Sequence, residues 1–164
     1  MEMTDNDILS LLGRHNLRLG VVESATGGLI SHLLTNIPGV SDWYKGSVTA
    51  YANETKANVL GVSWDTLERC GAVSAEVAEE MAAGGRRALG VDICLADTGI
   101  AGPGGATETK PVGLFYLGLA HGDLVTSQRR LFAGSREEIK SAAAEAVLMW
   151  LIEYLAGLRT KSLL

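Results

Sequence analysis

Short apolar runs and segments of helical periodicity take turns along this chain, and that alternation restricts its folds more than any other feature. Residues Asp5 to about His15 carry Ile8, Leu11 and Leu12 on one helical face, with Thr4 placed to cap them. Leu17 to Val22 is apolar apart from Arg18 and Gly20 and reads as a buried strand. A helical pattern follows with Leu29, Ile30, Leu33 and Leu34, stopped by Ile37-Pro38-Gly39. Gly46 to Ala52 reads as a second strand, and Asn53 is placed to cap a short helix that Leu60 and Gly61 close. Asp65 or Thr66 opens a brief helix, and Ser74 caps a longer one through Leu89, ended by Gly90. Asp92 to Ile100 is again strand-like, and Ala101 to Lys110 is a glycine-rich loop. Pro111 to Ala120 and Leu124 to Phe132 flank His121-Gly122-Asp123, a tight hairpin signal that makes this pair antiparallel. Ser135 caps a final helix running to Gly157, and the tail beyond Leu158 is expected to fray. Alternation with one hairpin predicts a single α/β domain over 1–164, its mixed, mostly parallel sheet covered by helices on both faces.

Composition narrows the function classes. At 164 residues the chain suits one well-buried core. A formal charge of −5 opposes the phosphate neutralisation that drives nucleic-acid binding, while leaving room for a local cationic pocket. The two cysteines, Cys70 and Cys94, lack partners at metal-ligand spacing, so neither a disulfide framework nor a metal site is expected, and a reducing cytoplasm fits. The acidic opening from Met1 to Asp7 is unlike the basic start of a signal peptide, and no apolar run reaches membrane-spanning length. No nucleic-acid or membrane partner is expected. Self-association into a homo-oligomer is left open.

Three constellations carry chemistry. Glu23-Ser24-Ala25-Thr26-Gly27-Gly28 puts a serine between a strand and a helix, where free N–H groups can hold an oxyanion or a phosphate. The simpler alternative is that Ser24 or Thr26 only caps the helix. Val22 stands where a serine-hydrolase elbow requires glycine, and His15, His32 and His121 offer no convincing triad partner. In Tyr51-Ala52-Asn53-Glu54-Thr55-Lys56, Tyr51 and Asn53 alternate to one side of a strand end. Lys56 falls near a helix N-terminus, where a cation is disfavoured and a lysine base is helped; a solvated surface lysine is the alternative. The run Thr98 to Thr107, followed by Lys110-Pro111, offers consecutive glycine N–H groups as an anion nest but matches neither a Walker loop nor a dinucleotide fingerprint.

Taken in order, Glu-Ser-Ala-Thr-Gly-Gly at 23–28, Tyr-Ala-Asn-Glu-Thr-Lys at 51–56, Gly-Ala-Val-Ser at 71–74, Thr-Gly-Ile-Ala-Gly-Pro-Gly-Gly at 98–105 and Lys-Pro-Val-Gly at 110–113 closely resemble the CinA C-terminal domain family. Phe-Ala-Gly-Ser-Arg at 132–136 fits less tightly. The resemblance implies a three-layer α/β/α domain and hydrolysis of nicotinamide mononucleotide to nicotinate mononucleotide and ammonia, without metal or cofactor, in pyridine-nucleotide salvage. It places the nucleophile at Ser24 and the catalytic tyrosine and lysine at Tyr51 and Lys56. The expected mechanism has Lys56, directly or through Tyr51, take the Ser24 proton, with the oxyanion held by N–H groups around Thr26, Gly27 and Gly28. Asn53, Gly102, Gly104, Gly105, Thr107, Lys110 and Arg136 are the remaining expected substrate contacts, the Gly102–Thr107 loop with Lys110 or Arg136 holding the ribose phosphate. Ala25 departs from the family's usual cysteine, and Ser135 from its usual aspartate. The rival reading is a silent pyridine-nucleotide-binding or interaction module of the same fold.

Overall fold

The computed structural model describes residues 5–159. The expected Thr4 cap lies outside them, as does the tail after 159. In chain order the elements are α1 (Asp5–His15), β1 (Leu19–Glu23), α2 (Leu29–Thr35), a 3-10 turn (Val40–Asp42), β2 (Tyr44–Thr49), α3 (Asn53–Leu60), α4 (Trp64–Cys70), α5 (Ala75–Leu89), β3 (Ile93–Gly99), β4 (Leu114–His121), β5 (Leu124–Leu131) and α6 (Arg136–Gly157). Every expected element is present, with strand ends shifted by a few residues. Asn53 is not the expected cap: it is the first helical residue of α3, and Ala52 occupies the cap position without a side-chain bond, while α4 opens at Trp64 after Ser63. Tyr51 and Asn53 therefore flank a loop rather than share a strand face.

The five strands lie in the order β2-β1-β3-β4-β5. β1 pairs in parallel with both β2 and β3, whereas β3–β4 and β4–β5 are antiparallel. Four strands thus run one way and β4 alone opposes them, although the pairings divide evenly. The hairpin closes through Gly122 at φ 58°, with His121 opposite Leu124.

Alternation along the strands sorts the core into two layers. Leu19, Val21, Ile93, Leu95, Phe115, Leu117 and Leu119 pack with α1, α2 and α6 on one face. Val22, Cys94, Ala96 and Ala120 pack with α3, α4 and α5 on the other. The result is the three-layer α/β/α arrangement. Among the described residues no helix is long and apolar enough to cross a membrane.

Candidate active site

β1, β2 and β3 all end on the same edge of the sheet, and β1 is where the connections diverge to opposite sides. Such a switch point leaves a crevice beyond the strand carboxyl ends, the usual place for ligands in open α/β sheets. A cavity of about 300 Å³ lies there, walled by the Ser24 turn, the β2–α3 loop, the β3 end and the glycine-rich loop.

Lys56 sits on its floor. The side chain is 1% exposed, and Nζ lies 2.9 Å from Ser24 Oγ and 2.8 Å from the Tyr51 carbonyl oxygen. Among the described residues no acidic side chain forms an ion pair with it. Burial lowers its pKa, an effect that the nearby charge of Asp97 partly opposes. A serine hydroxyl within hydrogen-bond reach of a buried amine whose pKa is lowered is an arrangement that suits nucleophilic catalysis.

The turn that presents Ser24 is held from beneath by two buried carboxyl groups, neither singled out by sequence reasoning. Glu23 receives the backbone N–H groups of Gly28 (2.9 Å), Ile30 (3.0 Å) and Ser31 (2.8 Å), capping α2 where Gly28 has no side chain to do so. Asp97, on β3, receives the N–H groups of Ser24 (3.1 Å) and Thr26 (3.2 Å). The Thr26 hydroxyl lies between the two carboxyls. These bonds correct the expected oxyanion site: the N–H groups of Thr26 and Gly28 point inward to carboxyl oxygens. The Ala25 N–H takes no part in this network, and Ala25 lines the cavity.

Arg136 opens α6 and reaches over the glycine-rich loop. Its Nη1 donates to the Gly102 carbonyl at 2.7 Å, and Nη2 lies 3.5 Å from the Tyr51 hydroxyl. Tyr51 is 64% exposed and forms an outer wall. Its hydroxyl therefore neighbours Arg136, while only its carbonyl meets Lys56.

Of the expected site residues, Ser24, Tyr51, Lys56, Asn53, Gly102, Gly104, Gly105 and Arg136 all line this cavity. Thr26, Gly27, Gly28, Thr107 and Lys110 do not. Lys110 instead donates through Nζ to the Cys70 carbonyl, and its N–H binds Thr107 Oγ1. Lys110 braces the loop against the end of α4, and Thr107 closes a turn within it. Ala72, Val73, Thr98 and the backbone from Gly99 to Ala101 complete the wall. An acidic residue directly after the apolar run Ile93–Ala96 was the available sign of Asp97, since a carboxyl in a buried strand needs a partner.

The sequence model of the CinA C-terminal domain matches residues 1–155. A protein of Moorella thermoacetica named as competence-damage inducible is 49% identical over 154 residues, covering 90% of this chain and 37% of its own length. A CinA-like protein of Syntrophomonas wolfei is 45% identical over 149 residues, covering 88% of this chain and 36% of its own. The chain thus spans little more than a third of these curated relatives. Among solved structures, the competence damage-inducible protein A of Klebsiella pneumoniae superposes with a TM-score of 0.91 at 30% identity, covering 94% of this chain and 96% of that one. A competence/damage inducible protein of Agrobacterium tumefaciens gives 0.81 at 37% identity, covering 95% and 99%.

Proposed function

The chain belongs to the CinA C-terminal domain family, and from that premise we propose that it hydrolyses the carboxamide of nicotinamide mononucleotide, releasing ammonia and nicotinate mononucleotide. The observation that carries this reading is the buried Lys56 amine 2.9 Å from Ser24 Oγ at the floor of the cavity. Neutral Lys56 accepts the hydroxyl proton as Ser24 Oγ attacks the amide carbon. The oxyanion forms beside the Ala25 N–H, the donor next to the nucleophile that the buried carboxyls leave alone. The lysinium then gives its proton to the leaving nitrogen, and the C–N bond breaks. Water, deprotonated by the same amine, cleaves the nicotinoyl ester and returns the serine.

The remaining cavity residues suit the rest of the substrate. Arg136 is the cation available to the phosphate, with the N–H groups of Gly104 and Gly105 beside it. Tyr51 contributes a flat ring to the outer wall; its carbonyl meets the Lys56 amine, and its hydroxyl lies beside Arg136. In this reading the Ser24 proton passes directly to Lys56, the amine 2.9 Å from its hydroxyl oxygen.

Ammonia release from nicotinamide mononucleotide by the purified protein tests the reading. Ser24→Ala is expected to lower kcat at least a hundredfold, more than about 2.7 kcal/mol, with substrate binding kept. Retention of about a tenth or more of the wild-type rate would exclude Ser24 as the nucleophile.

A further inference from the structure

Three buried oxygen-bearing side chains stand in a row behind the Ser24 turn. Thr26 Oγ1 lies 2.6 Å from Glu23 Oε2 and 2.5 Å from Asp97 Oδ1. All three residues are at most 1% exposed. A hydroxyl has one hydrogen and donates one such bond, so it cannot satisfy two ionised carboxylates at these distances. Both contacts can be hydrogen bonds when one of the carboxyl groups carries a second proton.

The surroundings decide which. Glu23 already receives three backbone N–H bonds at the start of α2, so its oxygens are engaged as acceptors. Asp97 is fully buried inside the sheet, opposite apolar Leu117 on β4. Burial pushes its pKa up to about 6, and the neighbouring Glu23 charge adds to the rise while its bonds from Thr26 and Ser24 oppose it. The chain of donation then runs from the Asp97 hydroxyl to Thr26 and from Thr26 to Glu23.

We propose that Asp97 is a positioning residue for the Ser24–Lys56 pair, holding the shared proton of a Glu23–Thr26–Asp97 chain beneath the nucleophile. The catalytic consequence rests on the amidohydrolase reading, whereas the proton itself does not. Two effects follow. Asp97 clamps the N–H groups of Ser24 and Thr26 and so fixes the backbone on both sides of Ala25. It also sets the field at Lys56: ionised Asp97 favours the lysinium, and protonated Asp97 leaves desolvation to favour the free amine. The charged groups facing this unit are Glu23 from β1, Lys56 from α3 and, beside Gly27 on its outer side, Lys140 from α6.

The test needs no substrate. NMR titration of the whole protein carrying ¹³C-labelled aspartate and lysine side chains follows Asp97 Cγ and Lys56 Cε, with Asp97→Asn assigning the first. Asp97 is expected to titrate near 6, well above the ordinary aspartate value of about 3.9. In Glu23→Gln the new amide can donate to Thr26, whose own hydrogen then turns to Asp97. Asp97 should ionise at lower pH. In Asp97→Asn no anion forms, and the Lys56 titration should move down. A lowered Asp97 titration in Glu23→Gln together with a lowered Lys56 titration in Asp97→Asn is what a purely structural role would not produce. Asp97 titrating as an ordinary carboxylate in the wild type, an Asp97 titration that Glu23→Gln leaves unmoved, or a Lys56 titration that Asp97→Asn leaves unmoved or raises, would overturn the proposal. If Glu23→Gln fails to fold, the wild type and Asp97→Asn still decide it. Ammonia release, measured separately, bears on the hydrolase reading alone.

Discussion

At the scale of single residues, the site depends on a lysine that is costly to bury as a cation. Because burial lowers its pKa, the catalytic rate should rise with pH as the amine loses its proton. The midpoint of that rise belongs below the ordinary lysine value of about 10.4. Lys56→Arg keeps the charge and cannot deprotonate, so its kcat should fall about as far as that of Lys56→Met, roughly 10²–10⁴-fold. An arginine variant with near-normal kcat and only a raised KM would make Lys56 an anchor for the substrate and not a base. Arg136 and Lys110 separate in the same way. Arg136→Gln removes the cation that lines the cavity and should raise KM tenfold or more, about 1.4 kcal/mol or above, with a smaller change in kcat. Lys110→Met breaks only the brace to Cys70, so it should lower the melting temperature and leave KM within about twofold. Steady-state kinetics with thermal unfolding of both variants checks the pair.

At the scale of elements, helix α5 sits so close to its neighbours that glycines carry the packing, two of them against backbone. A Cβ on Gly84 would overlap the Leu60 carbonyl at the end of α3, and one on Gly118 of β4 would overlap the Ala78 carbonyl of α5. Backbone cannot yield as a side-chain tip can. Gly84→Ala, favourable for an isolated helix, should therefore destabilise the protein by about 1–3 kcal/mol. It should also disturb Lys56, since α3 packs on α5 through this contact and carries the amine. Chemical denaturation measures the first effect and kcat the second. A stabilised Gly84→Ala would show that the two helices can separate freely. Helix α6 is secured differently, by a reciprocal cap in which Ser135 Oγ accepts from Glu138 N–H and Glu138 accepts from Ser135 N–H. The cap fixes the first turn, and with it Arg136 over the glycine-rich loop.

At the scale of the whole molecule, the crevice draws its walls from five separate stretches of chain, which only the fold brings together. Among the described residues no group of three His, Cys, Asp or Glu side chains is placed to hold a metal ion. Ammonia release should accordingly survive prolonged chelation, and loss of turnover with EDTA restored by zinc or magnesium would sink the serine–lysine mechanism.

Local chemistry determined most of the element plan. Periodicity, the Ser74 and Ser135 caps, the terminal glycines at 61 and 90 and the Gly122 hairpin each act through near neighbours, and each lies where the pattern puts it. The order of motifs likewise pointed to Ser24, Tyr51, Lys56 and Arg136, which meet in one cavity. What short-range pattern could not decide was which donors remain for a substrate. Thr26, Gly28 and Lys110 read as ligand-binding groups in isolation, yet each is consumed by a partner: Asp97 lies 71 residues from Thr26, and Cys70 lies 40 from Lys110. A buried polar group must find its partner within the protein, and the pairing of β3 beside β1 put Asp97 within reach of that turn. The sequence determined the chemical groups available to the site; the tertiary structure decided which of them were left free to act.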